Sequence, residues 1–248
     1  MQDPVRPLFR LPQLLGAIDD LLAVETTRHA GNLGLYTGDR PQRVDHHRRR
    51  LWLALGLSEG AVAGAHQVHG DRVLHATSAG QSEGYDALIT DRTGLFLSIT
   101  VADCTPILIC DPERRAVAAI HAGWRGTVAR IVAKTLAEMS ATFGTDPRDC
   151  LASVGTCIDE CEFEVGSEVA EQFDPAFVRW DELRAKHFVD LKAANRAQLL
   201  DAGLPAPQIE VSPYCTVQHN TDYFSYRAEQ GRTGRMLALI GWRKNRKA

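Results

Sequence analysis

Apolar positions along the chain fall into two rhythms. Residues 95–101 (LFLSITV), 106–110 (PILIC) and 116–120 (AVAAI) are short, nearly continuous apolar runs. Runs of this length, bounded by turn-forming residues, predict three closely spaced strands buried on both faces. Asp111-Pro-Glu-Arg-Arg115 between the second and third is a turn, so those two strands are expected to pair as a hairpin. Further strands are expected at 22–27, 209–211 and 235–242, with a glycine-bearing loop over 28–34 after the earliest of them.

The second rhythm is helical. Over 41–57, Val44, Leu51 and Leu55 share a face, and Gly56 stands near the end. Over 126–143, Val128, Ile131, Val132, Thr135, Leu136 and Met139 form an i, i+3, i+4, i+7 stripe, with Gly144 placed as a C-terminal cap. A third helix is expected over 191–202, with Asp190 as its N-cap and Gly203 after its end. Strands and helices mix without strict alternation, which predicts an α+β layered fold over a doubly wound one.

Composition narrows the function classes. The chain has 248 residues, 44% of them hydrophobic and 24% charged, with a net charge of −3. There is no repeat or linker, so one domain over 1–248 is expected. A balance this even gives no long-range attraction to nucleic acid or an anionic membrane. The basic stretch over 43–50 is read as a solvated helix face, because Asp39 and Asp45 dilute it and no aromatic residues interleave. No apolar run approaches the roughly 20 residues of a membrane span. The N-terminus has no basic region leading into an apolar one, so a cytoplasmic enzyme is expected. The six cysteines are too few for a disulfide scaffold in a chain this long. Cys157 and Cys161 form a C-x3-C pair with no second pair to complete a four-thiolate zinc site.

Three segments carry the chemistry: 67–70 (QVHG), 102–106 (ADCTP) and 121–126 (HAGWRG). If the two central strands form a hairpin, Cys104 at the start of one meets His121 at the end of the other. His69, before a glycine at the end of another β-like stretch, can reach the same edge. Two imidazoles and a thiolate make a three-ligand site with an open fourth position, the pattern of catalytic zinc. Such an ion lowers the pKa of bound water to about 7 and polarises a substrate oxygen. Gly123-Trp-Arg125-Gly126 then leads into a predicted helix, whose free N–H groups favour an anion, and Arg125 adds a bidentate donor. The same Cys104 and His121 also suit a metal-free cysteine hydrolase, with nucleophile and base. Asp103 reads equally as a catalytic acid or as a turn residue bonding its own backbone.

These segments resemble the signatures of the YfiH family, described both as laccase-like polyphenol oxidases and as purine nucleoside phosphorylases. The likeness extends to 86–90 (DALIT), 155–158 (GTCI), 164–166 (EVG), 190–195 (DLKAAN), 224–227 (FSYR) and Gly234-Arg235, and to the loop carrying Arg28-His29 and Asn32-Leu33-Gly34. The resemblance implies a layered α/β/β/α sandwich with mixed sheets, similar to the cytotoxic-necrotizing-factor type of cysteine hydrolase. It places the metal ligands on His69, Cys104 and His121. It implies zinc-dependent phosphorolysis of adenosine, inosine, guanosine and methylthioadenosine, with adenosine deamination as a side activity. The partners are then small molecules, a nucleoside and phosphate. In that reading Arg125 holds phosphate with help from Arg227. Asp103 and Glu164 are candidates for moving protons, and Asn32 and Gln67 for contacting sugar or base. The alternatives are a copper-binding polyphenol oxidoreductase, or a Cys/His hydrolase of peptidoglycan precursors. Three departures bear on specificity: a short loop at 28–34, Thr156 in place of the family's usual proline, and Cys161-Glu-Phe where Cys-Tyr is common.

Overall fold

The structure, a computed structural model, describes residues 6–244. Its core is two six-stranded sheets stacked face to face. The first runs in the order β1 (Phe9–Arg10), β2 (Leu21–Thr26), β15 (Met236–Trp242), β7 (Phe96–Val101), β3 (Val62–His66), β5 (Gly80–Glu83). The second runs β14 (Ile209–Val211), β10 (Leu151–Val154), β8 (Thr105–Asp111), β9 (Ala116–Ala122), β6 (Ala87–Thr90), β4 (Val73–His75). Both are mixed: β3 pairs in parallel with β5 and β7, and β10 with β14, while β8 and β9 are antiparallel. A small third sheet, β11 (Glu164–Val165), β13 (Lys186–Val189) and β12 (Val178–Asp181), lies beside the pair in sequence order between β10 and β14.

The period of two along each strand assigns every apolar side chain to a layer. On β15, Met236, Ala238, Ile240 and Trp242 point between the sheets, while Leu237 and Leu239 point outward. On β8 and β9, Leu108, Cys110, Val117 and Ala119 point between the sheets. Ile107, Ile109, Ala118 and Ile120 point outward. Helix α2 (Pro41–Leu55) covers the outer face of the first sheet through Leu51, Trp52 and Leu55. Helices α4 (Ile131–Phe143) and α6 (Leu191–Asp201) cover the second through Ile131, Val132, Leu136, Met139 and Leu199. The layers are therefore α/β/β/α, as the resemblance implied. It also explains why β8 and β9 read as continuously apolar although they are antiparallel: neither face meets water. Two further short helices are α1 (Gln13–Gly16) and α5 (Ser167–Ala170). No helix among the described residues is long and apolar enough to cross a membrane.

One predicted element divides. The stripe over 126–143 belongs to two helices, α3 (Trp124–Val128) and α4, separated by Arg130 in a left-handed conformation with φ 60°. The cause is packing. Trp124 and Val128 face the cluster of Ile158, Val189 and Leu191, whereas Ile131 and Val132 face the second sheet. One straight helix does not serve both surfaces. The other boundaries shift by a residue or two, and the caps at Gly56, Gly144 and Asp190 are present.

Candidate active site

The β8–β9 hairpin pairs Thr105 with Ala122 and Pro106 with His121. Cys104, one residue before β8, therefore lies beside the end of β9. His69 arrives on the loop between β3 and β4. Its fold is set by one buried carboxylate: Asp86 accepts from the N–H groups of Val68 (3.2 Å), His69 (2.9 Å) and Gly70 (2.7 Å). The same Asp86 accepts from His121 Nδ1 at 2.8 Å, leaving Nε2 to face the site. Its position follows from register, since β6 pairs with β9 with Ala87 opposite Ile120, so the next pair is Asp86 and His121. The ligand atoms of His69, Cys104 and His121 lie within 4.8 Å of one another.

Glycines make the approach possible. A Cβ at Gly123 would lie 3.1 Å from Cys104 Sγ and from a ring carbon of His69. A Cβ at Gly126 would lie 2.9 Å from the Gly70 carbonyl, so α3 reaches the ligand loop only because that position is bare. Two non-glycine residues here hold left-handed backbone, His69 (φ 60°) and Asp103 (φ 81°), and such strain gathers at functional sites. Helix α3 is held from behind by α6, where Asn195 donates to Thr127 Oγ1 (3.0 Å) and Gln198 to the Thr127 carbonyl (2.7 Å).

The charges of the trio are coupled. Burial alone would raise the Cys104 thiol, but the imidazoles of His121 and His69 overcome it and bring it to about 6. Burial would likewise lower His121, yet Cys104 and Asp86 raise it to about 9. The metal-free pair is a thiolate beside an imidazolium. The donor set, the space left by Gly123 and the carboxylate behind His121 together fit an ion with an open position.

The trio lies in a cleft of about 490 Å³. Trp124, Arg125, Arg227 and Arg235 stand in its walls, with Tyr36 and Tyr226 half-exposed at the rim. Tyr36 stacks on His66 with ring centroids 4.0 Å apart, and His66 Nδ1 meets Glu83 at 2.9 Å.

The other residues singled out from sequence divide into two groups. Asp103, Gln67, Arg125 and Arg227 line the cleft. The Asp103 carboxylate accepts from Thr216 Oγ1 (2.6 Å) and the Arg227 N–H (2.7 Å). The Gln67 amide is bonded both ways to the Thr100 backbone, at 2.8 Å each. Asn32 and Glu164 are not among the cleft-lining residues. Asn32 is buried and bonds Gly34 N and Arg235 N, while Glu164 pairs with Lys186 at 3.0 Å. The helix behind Arg125 is a single five-residue turn rather than the long one expected, so positive character in the cleft comes from guanidinium groups more than from a dipole. Cys157 is buried and pairs across a bridge with Cys215, apart from the trio.

Sequence reading missed Asp86, Arg235, Tyr36 and His66. Asp86 and Arg235 lie in segments quoted for the resemblance, and strand register was the one signal able to assign Asp86. Nothing in the local pattern marks Tyr36 or His66.

The chain matches the family model described as "Multi-copper polyphenol oxidoreductase laccase" over residues 24–243. It is 41% identical over 251 residues to a Deinococcus radiodurans protein named purine nucleoside phosphorylase, spanning 97% of this chain and 95% of that one. It is 36% identical over 225 residues to adenosine deaminase RL5 from an unknown prokaryotic organism, spanning 84% of this chain and 86% of that one. The crystal structure of Bacillus licheniformis hypothetical protein YfiH superposes with a TM-score of 0.87 at 30% identity, over 95% of this chain and 99% of that one.

Proposed function

The chain belongs to the YfiH family, and from that premise we propose that it is a zinc-dependent purine nucleoside phosphorylase. Its substrates are adenosine, inosine, guanosine and methylthioadenosine, with phosphate as co-substrate and adenosine deamination as a side activity. The observation that carries this reading is the three-ligand cluster in a cleft also walled by arginines.

In the reaction a phosphate oxygen bonds to C1′ of the ribose as the C1′–N9 bond breaks. The electron pair of that bond leaves with the purine, which takes up a proton, giving free base and ribose 1-phosphate. His69, Cys104 and His121 would hold the zinc, which when bound would supply Lewis-acid polarisation of a substrate oxygen. The chain does the rest. Asp86 fixes the ring of His121. Arg125 offers two parallel donors to an anion. Trp124, Tyr36 and Tyr226 offer aromatic faces to a base and keep water from the reacting carbon. The polar walls by Asp103 and Gln67 are tied to the backbone, which keeps the cleft's shape fixed before substrate arrives.

The family description also names oxidoreductase chemistry. Among the described residues the trio is the one group of three or more His, Cys, Asp or Glu side chains close enough to share an ion. Reduction of O2 to water draws several electrons at once, and a single such centre does not store them. Phosphorolysis is therefore the preferred reading.

The test is an assay of the zinc-loaded protein with inosine and adenosine, with and without phosphate, beside Cys104→Ala. Phosphate-dependent release of hypoxanthine or adenine that Cys104→Ala abolishes supports the reading. Phosphate-independent conversion of adenosine to inosine moves the assignment to a hydrolase, and inertness towards both nucleosides removes it.

A further inference from the structure

Three guanidinium groups line the cleft, and their hydrogen bonds tell them apart. Arg227 uses Nη1 and Nη2 on the carbonyls of Glu162 (3.0 Å) and Glu164 (2.9 Å), so its charge straps the 162–164 segment to the cleft. Arg125 is exposed and lies over the ring of Trp124, 4.3 Å from its centroid. Arg235 is half-buried and braced from behind. Its backbone N–H donates to Asn32 Oδ1 at 2.9 Å, and its carbonyl accepts from Leu33 N at 3.1 Å. Its Nη1 donates to the carbonyls of Thr233 (3.2 Å) and Gly234 (2.9 Å). Gly34 lies against its stem, where a Cβ would come within 2.7 Å of Arg235 Cγ. Nε and Nη2 have no hydrogen-bond partner among the described residues.

The charged groups acting on Arg235 are Cys104 and Asp103, with Tyr226 beside them. Asp103 acts on it through space without bonding it: its two carboxylate oxygens accept from Thr216 Oγ1 and the Arg227 backbone N–H. A cation is thus held half-buried beside the metal trio, with donors to spare and no carboxylate bonded to it. Such an arrangement is costly unless an anion completes it. A guanidinium fork fits two oxygens of a tetrahedral oxyanion.

We propose that Arg235 binds inorganic phosphate in the cleft alongside Arg125, and that the Asn32–Gly34 loop serves to aim it. This deepens the phosphorolysis reading and rests on it. It also gives the loop a purpose: Asn32 acts on the co-substrate through Arg235. Arg227 is then a strap and not a phosphate ligand.

The experiment measures phosphate binding by calorimetry to the zinc-loaded protein at constant ionic strength, alongside KM for phosphate and for inosine. The variants are Arg235→Gln, Arg235→Lys and Gly34→Ala. Arg235→Gln is expected to weaken phosphate binding and raise phosphate KM by at least about tenfold, with inosine KM little changed. Arg235→Lys recovers part of the loss, since it restores charge without the fork. Gly34→Ala keeps the guanidinium but displaces it and weakens phosphate binding in the same direction, which covers the case in which Arg235→Gln does not fold. Phosphate binding by Arg235→Gln within about twofold of the parent overturns the proposal, as does a parent protein with no saturable phosphate binding. Arg235-dependent binding without base release keeps the proposal and removes phosphorolysis. Base release with an unchanged phosphate KM in Arg235→Gln does the reverse.

Discussion

Asp86 Oδ1 lies 2.8 Å from His121 Nδ1, and neither residue reaches solvent appreciably, at 0% and 3% exposure. The same oxygen accepts from the His69 N–H at 2.9 Å. One carboxylate therefore sets the ring of one member of the trio and the backbone of another.

Asp86→Asn should lower zinc affinity by about 10- to 100-fold, the usual effect of losing a partner behind a metal-bound histidine. The asparagine keeps one acceptor but aims an NH2 group at N–H donors that now meet Oδ2. Competition against a chromogenic chelator measures the change. An affinity equal to the parent's would show that the carboxylate does not organise the ligands.

How much of this was legible beforehand follows from what each feature depends on. The hairpin of 106–110 with 116–120 was readable from apolar runs around a turn, and that pairing placed Cys104 beside His121. The layers were readable less directly, since burial on both faces is common to several architectures. The break at Arg130 was not readable: the stripe from Val128 to Met139 is continuous, and only the third sheet shows that its ends serve different cores. The role of Asp86 needed the β6–β9 register. Asn32 was singled out as a substrate contact, but its side chain supports Arg235 from outside the cleft wall.

Metal affinity should depend on pH with a definite slope. An ion needs thiolate and neutral imidazole, whereas the metal-free pair holds a proton on His121 up to about 9 and keeps Cys104 ionised down to about 6. One proton must leave across that window. Zinc affinity is then expected to rise about tenfold per pH unit from about 6 to about 9 and to level off above. A flat profile between pH 6.5 and 8.5 would contradict the ion pair.

Alkylation offers an independent reading of the same thiol. Without metal, Cys104 should react with iodoacetamide at a rate half-maximal near pH 6, and zinc should protect it. Burial pushes Cys150 and Cys157 up to about 12, so both should stay unmodified in the folded protein. Peptide mapping by mass spectrometry separates them. Rapid labelling of Cys104 in the zinc-loaded protein would favour a free nucleophile over a ligand.

Gly123→Ala should damage the site while sparing the fold. The added methyl meets Cys104 Sγ and the His69 ring at 3.1 Å, and the backbone there, with φ −72°, accepts alanine. Zinc affinity is expected to fall at least about tenfold with the melting temperature of the metal-free protein within about 2 °C of the parent. Unchanged affinity would mean that the ligands sit farther from Gly123 when an ion is bound.

Glu25 carries a pH-dependent contribution to stability. It continues the inward row of Leu21 and Ala23, and its carboxylate occupies space that Gly155 leaves open, accepting from the Thr156 N–H at 3.1 Å. A proline at 156, usual in the family, would have no N–H to give. Burial raises the Glu25 carboxyl above its ordinary value of 4.5, so the folded state prefers it protonated. Its contribution is complete below that value and is lost as pH rises through the folded-state value. Glu25→Gln should therefore gain a few degrees in melting temperature at pH 8, at about 2–4 °C per kcal/mol, and much less at pH 4.5. A gain equal at both pH values would rule out ionisation as its source.

The trio also has a mechanical meaning. His69 lies where the chain passes from β3 in the first sheet to β4 in the second, and Cys104 where it passes from β7 to β8. His121 sits at the end of β9 in the second sheet. An ion on the three would be a clasp at the open seam of the sandwich, fastening two crossings of the chain to one strand end. Gain or loss of the ion then changes how freely the two sheets part at that edge, so hydrogen exchange at the seam should respond to zinc while the interior between Leu108 and Ala238 does not.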